Sequence, residues 1–363
     1  MPVAQLDRAP VSETGFAGGS SPLRHGFMRV VMLKIRRTLF DHIHENDFDK
    51  FMFVDPEIIH KLSGNLLLRF VNHFLPPTKK FLRETFNAKD NGKILAQISL
   101  VPDNFSDFRC QISSLKIRHE NKFVAKPIID FVVNKYGGSG VSSFLIYIDE
   151  KYPEIISLFK NECGFRSCAK IDFYMSNDLN NSLSDFDENN FKDLFDEDIL
   201  DLLEINTANI FTNFRPSLIS NLKDFKNEFF HRSNTVFFKV FVVNGRPEGY
   251  FRIYSVDKKN FLADIITSKP YEHCYGEIIA YIQYYLKNKS DFESLTVLLK
   301  RYRETALVLE ENLKNANYKI NNTTHILVKD YWQKVGEVQN EEKLFVFFND
   351  LTAQPARYNS FMI

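Results

Sequence analysis

No run of apolar residues in this chain approaches the ~18–20 that a membrane-spanning helix needs. The longest stretch near the start, 27–35, is interrupted by Arg29 and Lys34 and is too short for a secretory signal. Net charge is missing as well. The 46 basic residues balance 46 acidic ones, so no global field draws the chain to nucleic acid or to an anionic bilayer, although a local basic patch stays open. Cysteine is scarce. Cys110, Cys163, Cys168 and Cys274 show neither C-x-x-C nor Cys/His ligand spacing, and His42-Ile43-His44 has no third ligand placed by the sequence. No metal is therefore expected, and the thiols read as core residues in a reducing cytoplasm. What is plentiful is phenylalanine, 36 residues, which reads as packing material rather than as a ligand platform because aromatics dominate cores. With 44% apolar and 25% charged residues over 363 positions, the composition is that of a soluble globular protein, long enough for two domains that each bury a core.

The first 27 residues stand apart. Val3-Ala4-Gln5-Leu6-Asp7-Arg8-Ala9 and Gly19-Ser20-Ser21-Pro22 resemble the conceptual translation of the D-arm and TΨC-arm of a bacterial tRNA gene, in that order. The segment is rich in Gly, Ser and Pro and has no apolar periodicity, which independently predicts disorder. A spurious extension is expected, with the protein starting at Met28 or Met32; a flexible targeting arm is the alternative.

A pattern of strand, helix and turn between Ser142 and Met175 returns 153 residues later. The first copy runs through an apolar strand at 142–148, a helix, Cys163-Gly164-Phe165 and a strand at 168–174. The second runs through 295–302, a helix, Ala316-Asn317-Tyr318 and 321–328. At the same offset Asn91-Gly92 maps onto Asn244-Gly245, and Ala96 onto Gly249. The chain therefore reads as two tandem α/β (α+β) domains at 28–177 and 191–331, joined by a polar linker at 178–190 and followed by a tail at 332–363.

Along the chain, 29–36 reads as a strand and 41–74 as helical, with Phe48, Phe51 and Met52 at helical spacing. Two strands at 82–88 and 94–101 form a hairpin over Asp90-Asn91-Gly92, a type I′ signal. A strand at 108–117 and a helix at 123–136 follow, and Gly137-Gly138-Ser139-Gly140 ends that helix as a cap and turn. The second copy reads as helical over 191–230, then a hairpin at 236–243 and 248–256, a strand at 261–267 and a helix at 276–286. The apolar run 344–348 reads as an edge strand or as packing against the other domain.

This order, with Leu158-Phe159-Lys160-Asn161-Glu162-Cys163-Gly164-Phe165 closing the first copy, resembles the GNAT (GCN5-related N-acetyltransferase) superfamily over about 28–328. The resemblance implies two mixed, mostly antiparallel twisted sheets flanked by helices. It also implies acetyl-CoA or another acyl-CoA as co-substrate, held where the fourth and fifth strands splay apart, with its pyrophosphate at the following helix start. A helix N-terminus supplies free N–H donors and positive potential for that purpose. Mapped here, the donor lies along Leu115, Ile117, Lys122, Val124, Ala125 and Lys126. The family's phosphate loop favours glycine, which the sequence replaces with Phe123, Ala125 and Pro127. Lys122 and Lys126 supply charge instead, or serve a solvated helix face.

The family's thiolate-protonating Tyr falls on Phe159, which has no proton to give. Its second-copy counterpart is Leu313, and a cofactor-contacting Asn falls on Pro153. A replacement acid would be Tyr147 or Tyr152, or Asp149 and Glu150 beside them, and Glu120 is the candidate base for a primary amine. The leading expectation is an N-acyltransferase with the first domain active and a small-molecule or peptide amine as acceptor. A non-catalytic GNAT-fold scaffold with altered cofactor sites is the second reading, and an aminoacyl-tRNA-dependent aminoacyltransferase the third. The balanced charge leaves a nucleic-acid partner unexpected.

Overall fold

The computed structural model describes residues 33–38, 47–53, 75, 82–102, 108–179, 185–218, 222, 225–226, 235–255, 257–287, 292–335 and 345–348. The first half holds β1 (Lys34–Thr38), β2 (Phe48–Met52), β3 (Glu84–Asp90), β4 (Lys93–Pro102), β5 (Arg109–Arg118), α1 (Ala125–Gly137), β6 (Ser143–Asp149), α2 (Pro153–Ser157, continued by a π turn Leu158–Glu162) and β7 (Arg166–Ser176). The second holds β8 (Phe191–Lys192), α3 (Ile199–Asn209), β9 (Thr235–Val243), β10 (Arg246–Ser255), β11 (Asn260–Thr267), α4 (Tyr275–Lys287), β12 (Ser294–Lys300), α5 (Ala306–Asn315) and β13 (Lys319–Asp330). From β3 to β7 and from β9 to β13 the same elements recur in the same order.

Local chemistry accounts for the matching corners. Asn91 and Gly92 (φ 46° and 80°) and Asn244 and Gly245 (φ 51° and 77°) all lie in the left-handed region, as a type I′ turn requires of both central residues. They fold β3 on β4 and β9 on β10. Gly164 (φ 70°) and Asn317 (φ 61°) occupy the same region after α2 and α5. The chain reverses there, and the N–H groups of Phe165 and Tyr318 donate to Phe159 O and Leu313 O, each at 2.9 Å.

Thirteen strands among the described residues join in one sheet, ordered β1-β3-β4-β5-β6-β13-β7-β12-β11-β10-β9-β8, with β2 added on β5. Its described pairs are antiparallel except β5–β6 and β11–β12. The last strands of the halves are exchanged. β13 lies against β6, β7 lies against β12, and β7 and β13 pair with each other at the seam. Arg301 Nε donates to Asp172 Oδ2 at 2.5 Å and Thr323 Oγ1 to Asp172 Oδ1 at 2.8 Å, across the same seam. On one side of it Leu145, Ile171, Leu298, Ile326 and Val328 form a shared apolar cluster.

Helices cover the flanks. α1 buries Ile128, Ile129, Val132 and Val133, and its Phe131 and Tyr136 rings meet Phe86 of β3 edge-on. α4 buries Ile278, Ile279, Ile282 and Leu286 against β10, β11 and β12. α3 lies with Ile199, Leu202 and Ile205 among Val240, Tyr250 and Ile266. No helix among the described residues is long and apolar enough to cross a membrane.

Four sequence expectations are corrected. Residues 48–52, expected to be helical, form β2, because Phe51 and Phe53 point together into the core as alternating strand residues. Phe191, also expected in a helix, starts the short strand β8, and among the described residues of 191–230 helix is found at Ile199–Asn209, at Arg215–Leu218 and at 222 and 225–226. The first strand, expected over 29–36, is β1 at Lys34–Thr38, and 29–32 lie outside the described residues. The apolar run in the tail forms β15 (Phe345–Phe348), which pairs with β14 (Trp332–Val335) in a separate two-stranded sheet rather than extending the main one. Residues 1–27, both candidate starts, His42 and His44 lie outside the described residues.

Because the final strands are exchanged, neither half completes its sheet alone. A protease site placed between Leu179 and Asp185 should yield two fragments that co-elute under native conditions and separate only in denaturant. Fragments that separate in native buffer would show that the seam does not hold the halves together.

Candidate functional site

A parallel strand pair that diverges leaves N–H and C=O groups on its facing edges, and buried groups of that kind must find partners elsewhere. β5 and β6 pair only from Arg109 and Ser143 to Gln111 and Leu145. Beyond that point the freed edge of β5 is taken by β2, antiparallel, with Met52 opposite Ser114 and Phe48 opposite Arg118. Phe53 N donates to Ser113 O at 2.9 Å, and His119 N to Asp47 O at 3.4 Å. Bonded and non-bonded pairs alternate in an antiparallel ladder, so Phe51–Leu115 and Asp49–Ile117 are the bonded pairs between. The Gln111 amide donates to Phe53 O at 3.0 Å, fixing β2 where β6 departs.

The two ends of β2 are held differently. Phe53 is fully buried, edge-on to Phe159 at 5.7 Å, and Phe51 meets Tyr152 edge-on at 5.4 Å. At the outer end Arg118 Nη2 reaches Asp47 Oδ2 at 3.2 Å and His119 Nδ1 reaches Asp49 Oδ1 at 2.8 Å, both among solvent-accessible side chains.

Beside β2 opens a cavity of about 280 Å³. Phe51, Ile117, Ala125, Ile155 and Leu158 form its apolar wall, and Asp49, Lys122, Glu154 and Glu162 its charged rim. Phe123, 56% exposed, stands at the mouth rather than filling the interior. Of the predicted donor-binding residues, Ile117, Lys122 and Ala125 therefore meet in one cavity. Leu115 and Val124 are fully buried beside it. Lys126 is exposed and paired with Asp130, and that hydrogen bond raises its pKa. A tight turn at Lys122–Val124, without a side-chain cap from Asn121, leads into α1, whose first turn carries no acidic residue.

The predicted catalytic residues separate. Glu120 is exposed in the turn after β5. Tyr152 is half-buried at the start of α2, its ring against Phe51 of the cavity wall. Tyr147 packs instead on the apolar seam cluster, outside the cavity lining. Phe159 is core, edge-on to both Phe53 and Phe165. Burial pushes the Cys163 thiol up to about 12 and the Cys168 thiol up to about 11, far from nucleophilic thiolates. Among the described residues no group of three or more His, Cys, Asp or Glu is placed to hold a metal ion. Missed in the sequence were β2, whose signal was the alternation Phe51-x-Phe53, and the carboxylates Asp49, Glu154 and Glu162, which only folding brings together.

The second half meets the same constraint with side chains. β11 and β12 pair over Asn260–Ala263 and Ser294–Val297 and then part. Arg303 Nη1 donates to Ile265 O and to Asp264 Oδ1, each at 2.8 Å. Lys300 Nζ donates to Asp264 Oδ2 at 3.0 Å, and Asn209 Nδ2 to Thr267 O at 2.7 Å. Thr305 Oγ1 donates to Asn209 Oδ1 at 2.9 Å and lies 2.7 Å from Tyr275 Oη. Asp264 is fully buried. Burial alone would raise its carboxyl pKa, but Arg303, Lys300 and Arg252 outweigh that and hold it well below the usual carboxylate range. An Asp amid the apolar strand 261–267 was the sequence signal for this cluster. Because folding lowers the Asp264 pKa, its stabilisation is fully present above the unfolded carboxylate pKa and fades as pH falls towards the folded value. Asp264→Asn should cost about 3–5 kcal/mol at neutral pH and progressively less in strong acid, read by urea unfolding across that range. An equal loss at every pH would show that the charge is not what matters.

No family model matches the chain, and no curated protein matches it. Solved structures do resemble it. The tandem GNAT protein from the clavulanic acid biosynthesis pathway is 9% identical, with a TM-score of 0.45, covering 75% of this chain and 89% of that one. The GCN5-related N-acetyltransferase of Sphaerobacter thermophilus is also 9% identical, with a TM-score of 0.44 and coverage of 78% and 96%. A GNAT-family acetyltransferase from Colwellia psychrerythraea is 10% identical, with a TM-score of 0.40 and coverage of 68% and 85%.

Proposed function

We propose that the chain is an acyl-CoA-dependent N-acyltransferase of duplicated build, with one donor site in the first half and the second half serving as scaffold beside the amine pocket. The observation that supports this most is the divergence of β5 and β6 next to the start of α1. The freed edge of β5 bonds an extended, amide-bearing segment, and a pantetheine arm, with its two amides, is a segment of that kind. Lys122 at the rim and the turn that leads into α1 suit the pyrophosphate. Ile117 and Ala125 would flank the arm.

In the reaction an amine nitrogen attacks the thioester carbonyl, the amine loses a proton, and the departing thiolate gains one. Glu120 is the base on this reading. Tyr152 is the better-placed acid, since its ring borders the cavity wall while Tyr147 faces the seam. The carboxylates Asp49, Glu154 and Glu162 favour a cationic amine at the rim. Among the described residues no cysteine forms a disulfide, which suits a cytoplasmic location.

Calorimetric titration with acetyl-CoA should give one site per chain at millimolar affinity or tighter, and Lys122→Glu should weaken it about tenfold. No heat at millimolar acetyl-CoA removes the reading. In its place would stand a non-catalytic scaffold, a reading favoured by the fact that both diverging edges are bonded by the chain's own groups.

A further inference from the structure

Resting on that donor site, we propose that β2 is a displaceable strand that closes the first cleft until an acyl-CoA arm takes its place on β5. The bonded pairs Phe51–Leu115 and Asp49–Ile117 use the edge groups that an arm in this cleft would use. Each N–H on that edge can serve one occupant, so strand and arm exclude each other.

The attachment of β2 is graded along its length, and this sets how it would leave. The inner end is anchored by the fully buried Phe53 and by the Gln111 amide on Phe53 O. The outer end is held by the Asp47–Arg118 ion pair and the contact of His119 Nδ1 with Asp49 Oδ1, which lie in water and contribute little. Peeling therefore starts at Phe48 and stops at Phe53. Phe51 is at once the fourth residue of the strand and a wall of the cavity. Its departure would join that cavity to the bared edge of β5 and extend the pocket into a groove.

Among the described residues no strand lies on the matching edge of β11. Its edge is bonded by Arg303 and Asn209, buried side chains carried on the same folded core. Those groups cannot leave as a strand can, so among the described residues the gate belongs to the first half.

Phe48 and Arg118 face each other as a non-bonded pair of the ladder, where Cα atoms sit about 4.5 Å apart, within the roughly 4.4–6.8 Å that a disulfide tolerates. The full-length double variant Phe48→Cys/Arg118→Cys locks β2 when oxidised and removes the Asp47 ion pair when reduced. Coenzyme A and acetyl-CoA are titrated into both forms and into wild type by calorimetry. The reduced form should bind at least as tightly as wild type. The oxidised form, folded and with a raised melting temperature, should bind at least about tenfold more weakly, with dithiothreitol restoring affinity. Equal binding by oxidised and reduced forms overturns the gate and leaves the donor site standing. Binding by none of the three overturns the donor site and the gate with it.

Discussion

Hydrogen-bond satisfaction along two diverging strand edges organises this molecule. In each half a parallel pair separates after three or four residues, and each buried N–H or C=O left without a partner costs about 1–3 kcal/mol. A gap of this kind cannot stay empty inside a folded core, so something must lie against the edge. The first half uses a whole strand, β2, and the second uses side chains of Arg303 and Asn209. The same geometric problem has thus been answered once with a segment that can move and once with groups that cannot.

That difference explains the unequal chemistry of the two halves. In the second, Asp264, Lys300 and Arg303 sit deep in the core because the edge needs polar partners and the charges need one another. Stabilisation is then local and permanent. In the first, the partners are main-chain groups of β2, and the adjoining wall is Phe51, Ile117 and Ala125, which leaves polar groups only at the rim. The exchanged strands β7 and β13 let the rigid half support the other through one continuous sheet.

Much of the fold could be read from the sequence because it depends on local rules. The Asn-Gly pairs at 91–92 and 244–245 set both hairpins through their positive φ, and Gly164 and Asn317 set both helix exits the same way. The repeat spacing foretold the repeated order of elements. What escaped was everything fixed by long-range pairing. Phe48, Phe51 and Met52 satisfy helical spacing, and only the empty edge of β5 makes their segment a strand, a choice that five residues cannot express by periodicity. The exchange of β7 and β13 was equally hidden, since pairing within a half or across the halves demands the same apolar strand. Ile117, Lys122 and Ala125 could be grouped from the sequence because they lie at or just before the start of α1, whereas the contribution of Asp49 required knowing where β2 lies.

The continuous sheet also governs how the chain behaves in company. Two separate copies would each expose the flank where their last strands end, and open flanks recruit neighbouring chains into aggregates. Joining the copies through β7 and β13 removes both of those flanks at once. The outermost strands that remain are β8, only two residues long, and β1, whose five residues include Lys34, Arg36 and Arg37. A stub and a charged border are poor templates for further strand addition, so neither of these described flanks invites a neighbouring chain.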